Sequence, residues 1–157
     1  MSLELYVTPA NEVDVRFVAN NMRQEDIEEA GALGLLPLDA LLLSYYHAKV
    51  SYTLREPDGT PCAILGASPS QHGPKWGAVW LLGTKGMSKH PKTVIKNSKQ
   101  ALDLLFEQSG YEVLYNYTYA ENRLHHSWLR WLGFHFLREV NLPPFNKEFI
   151  EFVKLRN

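Results

Sequence analysis

The segment from Tyr111 to Phe136 constrains the fold of this chain more than any other part of it. Its first residues, up to Tyr119, are mostly aromatic or β-branched and include one charge, which predicts a strand buried in a sheet. Asn122 is a suitable N-cap for a following helix, because its side chain accepts a hydrogen bond from an amide two or three residues on. Gly133 predicts the end of that helix, since glycine adopts the left-handed conformation without strain. Alternating apolar and polar residues then predict another strand.

The helix between Asn122 and Gly133 is predicted to be amphipathic. The side expected to face the core carries Leu124, Trp128 and Leu132, with Trp131 beside them. The side expected to point elsewhere carries Arg123, His126 and Arg130.

The rest of the chain predicts further strands and helices without an internal repeat. The predicted strands are 3–7, 50–55, 60–67, 76–82 and 148–155, and the predicted helices begin near residues 11 and 24 or span 38–47 and 91–108. The turn around Pro57 to Gly59 predicts a hairpin. A helical first third, followed by a hairpin and then by alternating strands and helices, predicts an α/β (α+β) domain that spans residues 1–157. Its helices are expected to flank a mixed sheet.

Charge is unevenly distributed, although the net charge is −1. Residues 1–58 hold ten acids and four bases, whereas residues 59–102 hold six lysines and no acid. Three of these lysines, Lys92, Lys96 and Lys99, fall at helical spacing, which is typical of a solvated helix face. The basic segment also suits an anion site or an acidic partner, while the slightly negative total argues against nucleic acid. The acids near residues 25–29 suit the positive end of a helix dipole and require no functional explanation.

Several classes of protein and site have no support in the sequence. No apolar run approaches the roughly 18 residues that span a bilayer, and no signal peptide is evident, so we expect neither a membrane partner nor secretion. Cys62 lies in an apolar run and is expected to be a small buried hydrophobe. No His, Cys, Asp and Glu residues have the spacing of metal ligands, so we expect no metal.

The order strand, Asn-capped helix, Gly-Phe and strand resembles the C-terminal half of the GCN5-related N-acetyltransferase (GNAT) fold, with Gly133 eleven positions after Asn122. The residues from Met22 to Asp26, Glu29 to Gly31, Trp80 to Thr84 and Tyr115 to Asn122 look more narrowly like a phage-encoded branch of that superfamily. This branch includes internal virion proteins of short-tailed phages. The resemblance covers about 15–140 and implies a mixed, mostly antiparallel central sheet with a parallel splay.

The resemblance also implies where acetyl-CoA would bind. In such enzymes a glycine-rich turn binds the pyrophosphate, because glycines let the backbone approach and amides at a helix start point at phosphate oxygens. The corresponding segment here, Gly86 to Lys92, has one glycine, and Pro91 lacks an amide N–H. The residues that the resemblance assigns to the cofactor are Leu82, Gly83, Thr84, Lys85, Gly86, Ser88, Lys89, Lys92 and Asn122.

Catalytic groups are harder to assign from the resemblance. The enzymes often use a tyrosine on the helix after the Asn, and Leu129 occupies that position here. No Asp or Glu that could act as a base lies between residues 59 and 102. The remaining candidates for a base are His72, His90, His125 and His126, and a tyrosine among Tyr115, Tyr117 and Tyr119 could supply a proton, although core packing also explains these tyrosines on their shared strand face. Of these residues we select Tyr117, Tyr119 and His125.

Two hypotheses about function therefore stay open. In the first, the protein has a degenerate acyl-CoA site and acts by protein–protein contact, with a phage virion or host protein as partner. In the second, it is an active N-acetyltransferase that uses acetyl-CoA and a protein or small-molecule amine. Both place the protein in the host cytoplasm, in the virion, or in both.

Overall fold

The computed structural model describes residues 6–157, and residues 3–5 of the predicted first strand lie outside them. The elements of this described part are β1 (Tyr6–Pro9), α1 (Glu12–Asn20), α2 (Gln24–Ala32), α3 (Pro37–His47), β2 (Val50–Arg55), β3 (Pro61–Ser70), β4 (Gly73–Gly83), a 3-10 helix (Lys85–Lys89), α4 (Pro91–Ser109), β5 (Val113–Tyr119), α5 (Arg123–Trp131), β6 (His135–Leu142) and β7 (Lys147–Leu155). The predicted elements therefore occur in the predicted order.

The strands form one mixed sheet in the order β1-β2-β3-β4-β5-β7-β6. Every neighbouring pair is antiparallel except β4 and β5, which pair in parallel over 76–78 and 113–115. Beyond that point the two strands continue without pairing. We call the gap between residues 79–83 of β4 and 116–119 of β5 the splay. The predicted fold class, a mostly antiparallel sheet with a parallel splay, is confirmed.

Apolar side chains pack on both faces of the sheet. One face carries residues of α4 and α5, including Leu102, Leu105 and Trp128, and the fully buried Cys62 belongs to this core as expected. The other face carries Val15 of α1 and other residues of α1 and α3. Burial raises the pKa of the Cys62 thiol to about 12, so the thiol stays neutral at physiological pH.

The ends of α5 are as predicted. The Asn122 side chain accepts a hydrogen bond from the backbone N–H of His125 at 3.1 Å, as an N-cap does. Gly133 has φ +92°, the left-handed conformation expected just after the helix. Lys92, Lys96 and Lys99 are exposed on α4, which confirms the predicted solvated face.

The predicted core-facing side of α5 is wrong in part. Leu124 and Trp131 are 52% and 62% exposed, whereas His125 and His126 are 3% and 7% exposed. The helix is rotated from the predicted orientation because its histidines find polar partners at the sheet. Nε2 of His126 lies 2.9 Å from the backbone oxygen of Tyr119, and His125 contacts a carboxylate of α2.

Candidate functional site

A carboxylate from α2 lies at the far end of the splay. Asp26 is completely buried, and its Oδ2 accepts hydrogen bonds from the backbone N–H of Gly83 at 2.9 Å and from Nε of Arg23 at 2.8 Å. Its Oδ1 accepts a hydrogen bond from Nδ2 of Asn122 at 3.0 Å. The N–H of Arg23 in turn donates to the backbone oxygen of Gly83 at 3.0 Å. The start of α2 is thus bonded to the end of β4 and to the start of α5.

A second α2 carboxylate, Glu29, contacts β5 and α5. Its Oε1 accepts hydrogen bonds from the hydroxyl of Thr118 at 2.9 Å and the N–H of Tyr119 at 2.7 Å. Nδ1 of His125 lies 3.3 Å away, and Nδ2 of Asn122 donates to the same oxygen at 3.4 Å. Burial raises the pKa of Glu29, but His125 and the hydrogen bonds outweigh burial, so the pKa lies below its usual value.

These six residues form what we call the buried polar network: Arg23, Asp26, Glu29, Thr118, Asn122 and His125. The network joins α2 to β5 and α5 across more than 85 positions of sequence. The acids near residues 25–29 were expected to suit the helix dipole and to require no functional explanation, and that expectation did not include the hydrogen bonds of Asp26 and Glu29 to residues distant in sequence. The sequence does contain a pattern that indicates this network. Charged residues at positions 23, 26 and 29 recur every three positions and therefore share one side of a helix.

The edge of β4 that faces the splay is bonded at both ends. Thr84 donates its backbone N–H to the backbone oxygen of Cys62 on β3. Because the direction of backbone hydrogen bonds alternates along a strand, the backbone N–H and C=O groups of the odd-numbered residues in 79–83 point into the splay. The backbone oxygen of Val79 accepts a hydrogen bond from Nδ2 of Asn116 at 2.8 Å. At the other end, both backbone groups of Gly83 are bonded to Asp26 and Arg23. The side chains of Asn116 and Asp26 and the backbone N–H of Arg23 therefore occupy hydrogen-bonding positions at this edge of β4.

A cavity of about 150 Å³ remains inside the splay. We call it the inner cavity; its lining includes Glu29, Trp80, Leu82, Tyr117 and His125. Nε2 of His125 and Nε1 of Trp80 are buried and have no hydrogen-bond partner in the described part of the chain. Since Nδ1 of His125 lies beside the Glu29 carboxylate, the favoured neutral tautomer carries its proton on Nδ1, and Nε2 is then an acceptor.

A larger cleft of about 490 Å³ opens outside the network, between α5 and the start of α4. We call it the outer cleft. Its lining is mostly apolar and consists of Arg23, Glu25, Thr84, Lys85, Met87, Ser88, Pro91, Val94, Ile95, Leu124, Ser127, Trp128 and Trp131. The Arg23 guanidinium lies over the Trp128 ring, 5.3 Å from its centroid, and forms the boundary between the outer cleft and the buried polar network.

The segment expected to bind a pyrophosphate is a 3-10 helix with internal hydrogen bonds. The N–H of Gly86 donates to the hydroxyl of Thr84 at 3.1 Å, and the hydroxyl of Ser88 donates to the oxygen of Lys85 at 2.9 Å. Nζ of Lys89 lies 3.5 Å from the Glu56 carboxylate. Helix α4 then begins with a proline, so its first position offers no amide N–H to an anion.

The structure separates the residues that the resemblance assigned to the cofactor. Thr84, Lys85 and Ser88 line the outer cleft, while Leu82 lines the inner cavity. Asn122 belongs to the buried polar network, and the backbone N–H of Gly83 is bonded to it through Asp26. Gly86 and Lys89 line a different cavity of about 460 Å³, shared with α1, and Lys92 lies on the exposed face of α4.

The three candidates for proton transfer also have different surroundings. The Tyr119 hydroxyl donates to the exposed Glu121, and this hydrogen bond raises the pKa of Tyr119. Burial, followed by the neighbouring Glu151, raises the pKa of Tyr117. His125 alone of the three contacts a buried carboxylate, and its Nε2 is buried without a hydrogen-bond partner in the described part of the chain. Sequence reasoning singled out His125 but missed Glu29.

Residues 6–157 contain neither a metal site nor a membrane-spanning helix. No group of three or more His, Cys, Asp or Glu side chains there is placed to hold a metal ion. No helix in the same range has the length and apolar character needed to cross a membrane.

Comparison with solved structures identifies the fold. A spermidine N-acetyltransferase from Vibrio cholerae in complex with CoA and spermine is 14% identical, with a TM-score of 0.70 over 97% of this chain and 95% of that one. AAC(6′)-Ib in complex with ribostamycin and coenzyme A is 15% identical, with a TM-score of 0.71 over 98% and 94%. An acetyltransferase of the GNAT family from Bacillus anthracis is 10% identical, with a TM-score of 0.69 over 99% and 97%.

The chain therefore has the GNAT acetyltransferase fold over nearly its whole length. At these identities the similarity establishes the fold alone. No protein-family model matches the sequence, and a comparison with curated proteins gives no match either.

Proposed function

We propose that this protein is a phage-encoded GNAT-fold protein that acts by contact with another protein, and that its own helix α2 closes the path of the acyl-CoA cofactor. The observation that carries the proposal is the position of Asp26. Its carboxylate is completely buried at the end of the splay, bonded to Gly83, Arg23 and Asn122.

Displacing this carboxylate would be unfavourable. A cofactor lying along β4 would need the backbone groups of Gly83, which already bond to Asp26 and Arg23. Moving Asp26 aside would leave the buried Arg23 guanidinium without its ion partner, which costs about 3–5 kcal/mol for buried pairs. The inner cavity of about 150 Å³ is also smaller than the roughly 300–1,000 Å³ of typical ligand pockets. These contacts support the proposal that acetyl-CoA does not bind along β4 in this arrangement.

The partner follows from the sequence resemblance. The segments around Met22 to Asp26 and Trp80 to Thr84 resemble the phage branch that includes internal virion proteins, so we propose a virion or host protein as the partner. The protein then works in the host cytoplasm, in the particle, or in both.

Calorimetry and a thermal melt with acetyl-CoA and free CoA test this proposal. We expect no binding heat and no stabilisation of the wild-type chain at millimolar ligand. A ligand present at about 100 times its Kd adds about 2.7 kcal/mol to the free energy of unfolding, so binding would raise the melting temperature by several degrees. Micromolar affinity for acetyl-CoA would overturn the proposal.

A second candidate function is N-acetyltransferase activity, and the pair of Glu29 and His125 favours it. A carboxylate that orients an imidazole is an arrangement found in general bases, although Nε2 of His125 is buried and would have to become accessible before it could accept a proton from an attacking amine. The similar structures with bound CoA, spermine or ribostamycin suggest polyamines and aminoglycosides as the first amines to assay. Activity with either amine that is lost in His125→Asn and retained in the exposed-site variant His135→Asn would support this function.

A further inference from the structure

We propose that the outward face of α4 binds a second copy of this chain, in a weak dimer whose two α4 helices pack antiparallel. The inference goes beyond the proposed function, because it concerns a different surface and holds whether or not acetyl-CoA binds. It arises from the order of charges along α4, which is unfavourable in a single helix and complementary between two copies.

An open groove of about 730 Å³ runs along the solvent side of α4. We call it the α4 groove; its lining consists of Lys92, Ile95, Lys96, Lys99, Gln100, Asp103, Leu104 and Glu107. These residues recur at steps of three or four positions and therefore share one side of the helix. The charged ones are all exposed, and none of them forms an ion pair within residues 6–157. The groove thus offers charges that the chain itself leaves unpaired.

The charges in the α4 groove are ordered against the dipole of the helix. The bases Lys92, Lys96 and Lys99 lie in its N-terminal half, and the acids Asp103 and Glu107 lie in its C-terminal half. A helix carries a partial positive charge at its N-terminus and a partial negative charge at its C-terminus, so bases at the start and acids at the end are unfavourable. The first turn of α4 contains no acid and the last turn no base. The charge order therefore does not serve the stability of the isolated helix.

The same order becomes complementary when a second α4 lies antiparallel across the first. The two-fold axis then passes midway between positions 99 and 100. Lys96 lies opposite Asp103 of the second copy, and Lys92 lies opposite Glu107 of the second copy. Because a two-fold axis makes every contact reciprocal, each pair occurs twice. The basic half of each helix also lies beside the negative end of the other helix dipole.

The apolar contribution to this contact is small. Ile95 and Leu104 lie at equal distances from the axis, at the two edges of the groove, and both are half-buried in the single chain. A contact through one helix face is also smaller than the interface of a permanent dimer. We therefore expect reversible association with a Kd on the order of 100 μM, which depends on the charge pairs for its specificity.

The acids in the groove argue against a polyanion as the occupant. A nucleic acid or an acidic peptide lying along α4 would meet Asp103 and Glu107 after the three lysines, and contacts between like charges are unfavourable. The net charge of −1 also disfavours nucleic acid. A second copy is complementary to both halves of the groove.

Sedimentation equilibrium of the whole chain tests the proposal. We expect a monomer–dimer equilibrium between about 10 μM and about 1 mM protein in about 20 mM NaCl. Association should be at least about fivefold weaker in about 0.5 M NaCl, because salt screens exposed charge pairs. A chain that stays monomeric at about 1 mM in low salt, or a dimer that salt leaves unchanged, would overturn the proposal.

Charge reversal on α4 tests the antiparallel register. Lys96→Glu and Asp103→Lys each bring like charges together in a homodimer, so each variant alone should associate at least about tenfold more weakly than wild type. A mixture of the two variants should associate, because the introduced carboxylate faces the introduced ammonium, and the remaining Lys96 faces the remaining Asp103. The double variant Lys96→Glu/Asp103→Lys should dimerise for the same reason. Failure of the mixed variants to associate would overturn the register.

Lys147→Glu on β7 is the matched control, because it changes the net charge as Lys96→Glu does, at an exposed position outside the α4 groove. It should leave association unchanged, and all variants should melt near wild type because their side chains are exposed. Equal weakening by Lys147→Glu and Lys96→Glu would assign the effect to net charge and overturn the proposal.

A labelled single-stranded oligonucleotide tests the other occupant of the groove. Binding to wild type but not to Lys96→Glu, without self-association of the chain, would identify an anion site and overturn the dimer. None of these measurements involves acetyl-CoA, so their failure leaves the proposed function standing, and failure of the proposed function leaves the dimer standing.

Discussion

The splay and the outer cleft are neighbouring regions with opposite contents. The ends of the splay are bonded to charged and polar side chains of the chain itself, with an inner cavity of about 150 Å³ between them, while the outer cleft is open and lined mainly by apolar side chains. Arg23 separates them, with its Nε bonded to Asp26 and its guanidinium over Trp128. Side chains of α2 thus bond to the end of the splay, while the outer cleft beside it stays open.

The difference separates residues on which the stability of the fold depends from residues that the fold leaves exposed. A buried carboxylate has to be bonded, because an unpaired buried charge is strongly unfavourable, so the residues in the splay depend on one another for stability. An exposed tryptophan contributes little to folding and is free to contact a partner. The predictions below test that division, beginning with the largest expected effect.

Replacing Asp26 by Ala should destabilise the fold by about 3–5 kcal/mol, because it leaves the buried Arg23 charge, the N–H of Gly83 and the amide of Asn122 without their partner. Urea denaturation measures the loss. Glu28→Ala, at an exposed position of the same helix, is the control and should stay within about 0.5 kcal/mol of wild type. A loss below about 1 kcal/mol for Asp26→Ala would mean that the network does not hold the splay closed.

Much of this fold could be predicted from the sequence, because its determinants are local. Asn122 caps α5, Gly133 takes the left-handed conformation that follows the helix, and alternating residues form the strands of the C-terminal half. Each of these features depends on residues a few positions apart.

The buried polar network could not be predicted in the same way. Asp26 bonds to Asn122 and Glu29 to Thr118, and no local pattern specifies partners so distant in sequence. The same long-range contacts bury His125 and turn Leu124 outward, against the periodicity of α5. The prediction from periodicity assumed that apolar residues alone face the sheet. A buried histidine whose ring is hydrogen-bonded also faces the sheet, so the prediction is wrong at this position.

Gly83→Ala should destabilise the protein by about 1–3 kcal/mol, because an added Cβ would overlap Sδ of the buried Met87 below the outer cleft. Thermal and urea denaturation measure the change. Gly31→Ala on α2 is the matched control, because an added Cβ there meets no atom within 4 Å. Alanine at this helical position should stabilise the fold by about 0.5–1 kcal/mol. Equal responses at the two glycines would show that β4 and the 3-10 helix are not closely packed.

Glu29→Gln should change how stability depends on pH. The folded-state pKa of Glu29 lies below its ordinary value of 4.5, so the carboxylate stabilises the fold above that pH, and the stabilisation is lost as pH falls through the folded pKa. The melting temperatures of wild type and Glu29→Gln should therefore differ most near neutral pH and converge in acid. The exposed Glu28→Gln should show a constant, small difference. A gap between wild type and Glu29→Gln that widens in acid would contradict the assigned direction of the pKa shift.

Trp131→Ala should have the smallest effect, a change in the free energy of unfolding within about 0.5 kcal/mol, because the side chain is 62% exposed at the rim of the outer cleft. Trp128, one turn earlier on α5, gives the contrast. It is 4% exposed, donates a hydrogen bond to Ser98 at 2.9 Å and lies under the Arg23 guanidinium. Trp128→Ala should therefore cost about 3–5 kcal/mol. If urea denaturation instead shows a large loss for Trp131→Ala, the tryptophan is structural, and the division between a stabilising splay and an exposed cleft rim does not hold.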